Sequence, residues 1–246
     1  SVTILLRTAT SENKQQSNGS WQYDPYHSIR SRYLASLFSD AQAQETYDAY
    51  IAGLGFSLSK TSSGFTLTVS GYSDRLSDFA LKLLSDFCTV NEDLLKPHFD
   101  TTKDKFVRSL KSFFQSSRAD SLALYYRNLL VSGKGRGIEE NLEIAESMVL
   151  DDIMKHHEEI FSDTNMLVEC FYTGNVGKEA AEGFFSKATD IIKARRSRVE
   201  TTIKVKSEYI PGPLERRLLP GEDYELHFQS QNEKEGKSLC LSRLRL

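Results

Sequence analysis

The sequence predicts an α+β fold, a largely antiparallel sheet with helices packed on one face. Three observations carry that expectation. Phe56 and Leu58, then Phe65, Leu67 and Val69, alternate with Ser57, Ser59, Thr66 and Thr68. That period of two marks an antiparallel pair with one face on a core and one in water. Two further apolar runs, Val2 to Leu6 and Asn165 to Tyr172, have the length and composition of strands. Most of the remaining chain repeats its apolar residues at three- and four-residue spacing, the period of amphipathic helices.

Val2, Thr3 and Ile4 make the first run β-prone. Residues 11–20, SENKQQSNGS, are polar and without period, and read as an exposed loop or disordered insertion. Trp21, Tyr23 and Tyr26 cluster at the junction with the next helix, where aromatic rings are expected to pack down. Ile29, Tyr33, Leu34 and Leu37 give that helix its stripe. Asp40 is expected to cap a second helix with Ala43, Tyr47, Tyr50 and Ile51 facing inward, ending at Gly53. Gly64 and Gly71 bound the second strand of the pair at sharp turns.

Ser73-Asp74 is a helix-start signal, followed by Leu76, Phe79, Leu83, Leu84 and Phe87 on one stripe. Pro97 is expected to separate a short turn from a long helix carrying Phe99, Phe106, Leu110 and Phe113. A helix with Leu122, Leu124, Tyr125 and Leu129 ends at Gly133. Ile138 to Met148 and Leu150 to Ile160 are helical again, and Gly174-Asn175 leads from the strand into a helix over Lys178 to Ala194. Beyond it, Thr201 to Lys206 reads as an edge strand blunted by lysines. Pro211, Gly212, Pro213, Pro220 and Gly221 mark an extended linker. The alternations at Tyr224 to Phe228 and Leu239 to Leu246 read as the start of a second domain. The predicted division is a domain over 1–193, a linker over 194–222 and a truncated domain over 223–246. The chain begins in a strand-like run without methionine and stops inside an alternation, as expected of a piece of a longer polypeptide.

Composition bounds the function class. The 246 residues are 39% hydrophobic and 26% charged, with a net charge of −3. A mild acidic balance argues against a nucleic-acid partner. No run approaches roughly 18 consecutive apolar residues, so no membrane partner is expected. No signal-peptide pattern is visible, and the expected compartment is the cytoplasm. Cys88, Cys170 and Cys240 are too few and too scattered for a disulfide framework or a zinc knuckle, and read as free thiols in a reducing environment. Asn18-Gly19-Ser20 is a formal glycosylation triplet of a kind that recurs by chance.

The sites that invite chemistry are incomplete. In His156-His157-Glu158-Glu159-Ile160, positions one and four match the helical zinc motif His-x-x-Glu-His, but Ile160 replaces the second histidine. The expected reading is solvated polar residues on a helix. Gly133-Lys134-Gly135-Arg136-Gly137 follows a helix rather than a strand and lacks the Lys-Ser/Thr ending of a phosphate loop. Lys193, Arg195, Arg196 and Arg198 suit a solvated helix C-terminus, with an anion or acidic-partner site as the alternative. His27, His98 and His227 are isolated in sequence and read as surface or packing residues unless the fold brings them together. The sequence thus offers no catalytic residue and no metal ligand, and leaves the substrate-binding residues unknown.

A set of residues in fixed order carries a family resemblance: Leu37-Phe38 with Tyr47, Ala52-Gly53-Leu54, Gly64, Leu67, Val69, Ser70-Gly71-Tyr72 and Asp74, then Arg108-Ser109-Leu110, Tyr125-Tyr126, Leu129-Leu130 and Gly174-Asn175. Together they resemble the pitrilysin/insulysin family of zinc metallopeptidases over most of residues 1 to 222. The departures are the insertion at 11–20 and the tail after Asn232. The resemblance implies the mitochondrial processing peptidase-like metallohydrolase fold and, within it, the third, non-catalytic domain. Two halves of such an enzyme enclose a chamber around a peptide substrate. Its zinc sits in the first domain, on His-x-x-Glu-His with a downstream Glu. The implied partners are therefore the N-terminal catalytic half of the same polypeptide and a peptide, with no cofactor in this chain and zinc in the parent protein. The alternative is a pseudo-peptidase scaffold, as the core subunits of the respiratory bc1 complex are on a similar fold.

Overall fold

The computed structural model describes residues 1–8, 13–15, 21–61, 64–131, 137–162, 166–196, 227, 231–234 and 236–237. The Gly-rich loop through Arg136, the strand expected at 201–206, the Pro/Gly linker and, His227 apart, the last two alternations lie outside them. In chain order the elements are β1 (Val2–Arg7), β2 (Asn13–Gln15), β3 (Trp21–Tyr23), α1 (Pro25–Gln42), α2 (Tyr47–Ile51), β4 (Gly55–Thr61), β5 (Gly64–Ser70) and α3 (Ser73–Cys88). There follow α4 (Glu92–Lys111), α5 (Phe113–Ser116), α6 (Ala119–Val131), α7 (Ile138–Ser147), α8 (Leu150–Ser162), β6 (Leu167–Tyr172) and α9 (Lys178–Arg196). They fall into two compact units, one of Ser1–Thr102 with Met148–Ile210, the other of Lys103–Ser147 with Pro211–Leu246.

The first unit is built on a four-stranded sheet of order β4-β5-β1-β6, in which β1 pairs antiparallel with both neighbours. Register places Leu58, Leu67, Ile4 and Cys170 in one row across the sheet. Val2, Ile4, Leu6, Phe65, Leu67 and Val69 are at most 1% exposed and point at the helices. Helix α1 lies against β4, α3 against β5 and β1, and α9 against β6, all on this face. Full burial of each such side chain contributes roughly 1.5–3 kcal/mol, and this row of apolar contacts holds the layers together. The expected α+β sandwich is what forms.

Gly64 and Gly71 have positive φ of 143° and 140°. A Cβ on Gly64 would lie 1.9 Å from the Leu6 carbonyl oxygen, and one on Gly71 would lie 2.4 Å from that of Gly53. These positions therefore serve close backbone approach as much as turning.

Several local expectations are overturned. Helix α1 is started by Asp24, whose carboxylate accepts from the Tyr26 and His27 N–H groups, with Pro25 at its first position. It runs unbroken through Asp40, which caps nothing and instead accepts from the Thr102 hydroxyl at 2.8 Å. Tyr47, Tyr50 and Ile51 share a face of α2, as expected, but that face points outward and they are 61–70% exposed. Spacing defines a stripe without saying which way it points. Tyr26 is half-exposed. Within the polar insertion, β2 pairs with β3 instead of remaining loop. Helix α3 has Tyr72 at its cap position with no side-chain bond, and Asp74 sits in its first turn. Helix α4 starts at Glu92 and continues through Pro97. Asn91 accepts from the Leu94 N–H at its start, and proline removes only one ladder bond there.

The described elements of the second unit are helices. Phe113, Phe114, Tyr125 and Tyr126 form an edge-to-face aromatic cluster with centroid separations of 5.0–5.9 Å. The Tyr125 hydroxyl accepts from the Ile138 N–H at 2.9 Å and so satisfies a donor at the start of α7. Lys111 meets Glu146 at 2.7 Å.

Candidate functional site

A buried group of polar and titratable side chains lies where α1 meets α8. Residues four apart on a helix share a face, and His27 and Ser31 of α1 both face α8, 4% and 2% exposed. There they meet His156, which is fully buried. Its Nε2 lies 2.8 Å from Ser31 Oγ, and its ring stands edge-on to that of His27 at a centroid separation of 4.6 Å. Glu159, one turn on, lies 3.7 Å from His156 Nδ1 and 3.7 Å from an Arg30 guanidinium nitrogen.

The neighbouring His157 points elsewhere. Its Nε2–H donates to the Phe87 carbonyl at 2.7 Å, and its ring packs against Phe87 and Phe161. Burial, and to a lesser degree the charge of Arg195, pushes its pKa down to about 4, so the imidazole is neutral at neutral pH. The expectation that His156 and His157 are solvated is therefore wrong. Both lie on the buried arc of α8 with Ile153, Ile160 and Phe161, because a neutral imidazole can bury its ring and still place its N–H on a partner.

Serine, histidine and glutamate in line suggest a nucleophile, a base and its orienter. The geometry does not support that chemistry. Ser31 is closed off from solvent, and 3.7 Å between His156 Nδ1 and Glu159 is beyond hydrogen-bond length. A zinc ion, which the resemblance places in another domain, fits no better here. The adjacent imidazoles turn to different partners, Ser31 and the Phe87 carbonyl. Among the described residues no three His, Cys, Asp or Glu side chains converge as a ligand set.

The other sequence candidates scatter. His98 is half-buried and His227 exposed. Lys193 is exposed beside Asp190, while the Arg195 guanidinium lies 6.0 Å over the Phe161 ring. Arg198 and Cys240 lie outside the described residues. Cys88 is a buried free thiol whose pKa is pushed up to about 12 by burial, and Cys170 is free and half-buried.

The second candidate surface is the outer face of the sheet. Thr3 and Thr68 meet across β1 and β5 with hydroxyls 3.5 Å apart, and Arg7 pairs with Glu169 across β1 and β6 at 2.8 Å. Ser57 is exposed, and Leu167 and Phe171 stand 48% and 69% exposed on β6. This polar face with isolated apolar residues is open in the first unit, as the Ser/Thr alternation predicts.

Comparison with known proteins decides the family. The description "Middle or third domain of peptidase_M16" matches residues 15–144, more than half of the chain. The chain belongs to the peptidase M16 family. Its relatives within M16 include the insulin-degrading enzyme of Drosophila melanogaster, 29% identical over 221 residues, a stretch covering 88% of this chain and 21% of that protein. The insulin-degrading enzyme of Homo sapiens is 26% identical over 169 residues, 69% of this chain and 16% of its own length. Among solved structures, pitrilysin superposes with a TM-score of 0.60 at 19% identity, over 79% of this chain and 19% of its own. That likeness shows the fold. This M16 chain thus spans about a fifth of the length of the relatives it matches, or less. Among its described residues no helix is long and apolar enough to cross a membrane.

Sequence reasoning reached the family but missed the α1–α8 junction. Ser31 gave no signal of its own. The usable signal was the four-residue step from His27 to Ser31 on a helix, with a paired histidine waiting on another helix.

Proposed function

We propose that this chain is a non-catalytic domain from the C-terminal half of an insulysin-like zinc metalloendopeptidase, forming part of the wall of a chamber that encloses peptide substrates. What carries this reading is the burial of the histidines on α1 and α8, with Nε2 of His156 and of His157 turned to Ser31 and the Phe87 carbonyl inside the core. The zinc and the peptide-bond chemistry then belong to the N-terminal catalytic half of the same polypeptide. The open outer sheet face, with Ser57, Thr68, the Arg7–Glu169 pair and Phe171, is suited to water, an extended peptide or a neighbouring domain. On this reading residues 1–193 are the M16 middle domain, 194–222 a linker and 223–246 the start of the next domain. The buried free thiol of Cys88 is consistent with a reducing, cytoplasmic compartment.

The test is metal analysis and a fluorogenic-peptide assay on the purified chain. No stoichiometric zinc and no cleavage are expected. One tightly held zinc per chain with chelator-sensitive cleavage overturns the reading. A pseudo-peptidase scaffold is separated from it by the parent's N-terminal half: an intact His-x-x-Glu-His there supports the enzyme, a degraded one the scaffold.

A further inference from the structure

Hydrogen bonds beside β6 tell which way its backbone groups point. Ser1 and Thr173 exchange both backbone bonds, at 2.6 and 2.8 Å. In an antiparallel pair such bonded positions recur at every second residue. In the β1–β6 register the pairs that bond are therefore Thr3–Phe171, Leu5–Glu169 and Arg7–Leu167. Val168, Cys170 and Tyr172 turn their N–H and C=O groups the other way, to the free side of the strand. β6 ends the sheet order β4-β5-β1-β6, and among the described residues no other strand pairs with it. Three donors and three acceptors thus stand in a row at the spacing of a strand.

The two edges of the sheet are built differently. On β4, Lys60 turns inward and donates to the Ser28 hydroxyl at 2.5 Å, and an inward-pointing charge discourages a further strand. β6 has no lysine or proline and pairs with β1 without a bulge. Its outer row is Leu167, Glu169 and Phe171. The two apolar side chains are exposed, and between them the Glu169 carboxylate stays half-exposed beside its pair with Arg7. On the inner face Tyr172 holds the strand in place through the Ser77 hydroxyl at 2.8 Å and the Phe184 ring at 5.5 Å. Only an extended backbone matches an alternating row of N–H and C=O groups, and the outer row favours a cation flanked by apolar side chains.

We propose that the free edge of β6 takes up an extended peptide as a fifth strand. Its backbone bonds to Val168, Cys170 and Tyr172, its apolar side chains lie beside Leu167 and Phe171, and a lysine or arginine lies beside Glu169. The proposal rests on the chamber-wall reading above, which supplies the peptide. It adds where on this domain the peptide lies and which side chains it carries.

The test titrates the chain into a fluorescein-labelled heptapeptide, Thr-Val-Thr-Lys-Thr-Val-Thr, whose apolar–basic–apolar row reads the same in either direction. Fluorescence anisotropy is expected to saturate at one peptide per chain. Exchanging the peptide lysine for glutamate should weaken binding roughly fivefold, and with Glu169→Gln the two peptides should bind alike. N-methylation of one alternate set of peptide residues should abolish binding, and of the other set leave it unchanged, since only one set faces the edge. No saturable binding, indifference to the charge at the central residue, or equal effects of the two methylated sets overturns the proposal.

Amide hydrogen exchange reads the edge directly. In the free chain Val168, Cys170 and Tyr172 should exchange fast and Glu169 and Phe171 slowly, and the peptide should slow the first three. Slow exchange at those three without peptide means that the edge is already covered, and overturns the proposal. Cys170→Pro removes an edge-facing N–H and no bond to β1, so the variant is expected to fold and to lose the peptide. A folded Cys170→Pro chain that keeps the peptide overturns the proposal. So does a dimer of the unaltered chain, seen by sedimentation, that Cys170→Pro dissolves, because the edge then belongs to a second copy. The two readings fail separately. Zinc-dependent cleavage by the unaltered chain sinks the non-catalytic assignment. An inert chain that takes up no peptide sinks only the edge site.

Discussion

The two faces of the four-stranded sheet share the same backbone and differ in every other respect. On the inner face Val2, Ile4, Leu6, Phe65, Leu67 and Val69 are closed off from water and meet helices. On the outer face Thr3, Leu5 and Arg7 alternate with them along β1, each partly exposed. One residue of offset thus separates a core from a wall, because successive side chains on a strand point to opposite sides. The apolar contacts that stabilise the unit are concentrated on the inner face and in the helices behind it.

The sharpest test of the division is Phe65→Ala. The ring is fully buried, 5.4 Å from that of Phe87, and its removal is expected to lower unfolding stability by roughly 3–5 kcal/mol in urea denaturation. A loss below about 1 kcal/mol would break the comparison.

Acid should attack the layer behind the inner face next. The folded pKa of His157 is about 4, below its unfolded value of 6.5. Below pH 6.5 the unfolded chain takes up a proton that the folded chain refuses. Stability from this group is therefore full above pH 6.5 and is lost as pH falls toward 4, by about 3 kcal/mol in all. His157→Gln keeps a donor for the Phe87 carbonyl but does not titrate. Denaturation midpoints between pH 7 and 4 should fall less steeply for this variant than for the unaltered chain, and equal slopes would refute the assignment.

Gly64→Ala probes the join between β5 and β1. The positive φ and the 1.9 Å approach to the Leu6 carbonyl predict a loss of roughly 1–3 kcal/mol or more, seen as a lower Tm. The smallest effects belong to the outer face. Arg7→Ala removes a half-exposed ion pair and should cost about 1 kcal/mol or less, declining as salt is raised. Phe171→Ser, at a side chain 69% exposed, should leave stability within about 0.5 kcal/mol. A large loss from either would mean that the outer face is part of the core.

How much of this was legible in the sequence varies with the kind of residue. The hairpin at 55–70 was readable because Phe65, Leu67 and Val69 alternate strictly with small polar residues. Helix α8 was readable as a helix, but the fate of its histidines was not. Neighbouring imidazoles on one helix diverge, and each found a partner distant in sequence, Ser31 for His156 and the Phe87 carbonyl for His157. Asp40 carried a cap signal, yet α1 runs through it and its carboxylate accepts from Thr102 on another helix. The stripe of Tyr47, Tyr50 and Ile51 was correct in spacing and wrong in direction.

The fold class, the strands, most helices and the family resemblance were all legible in the order of the residues. Each of these depends on period, glycine placement or residue order, which are local along the chain. Which polar residues lie inside depended on how the helices pack. A histidine, serine or aspartate is tolerated in a core when a partner waits for it, and that partner is set by packing between helices rather than by neighbours in sequence. The α1–α8 junction was therefore invisible until His27, Ser31 and His156 were brought face to face.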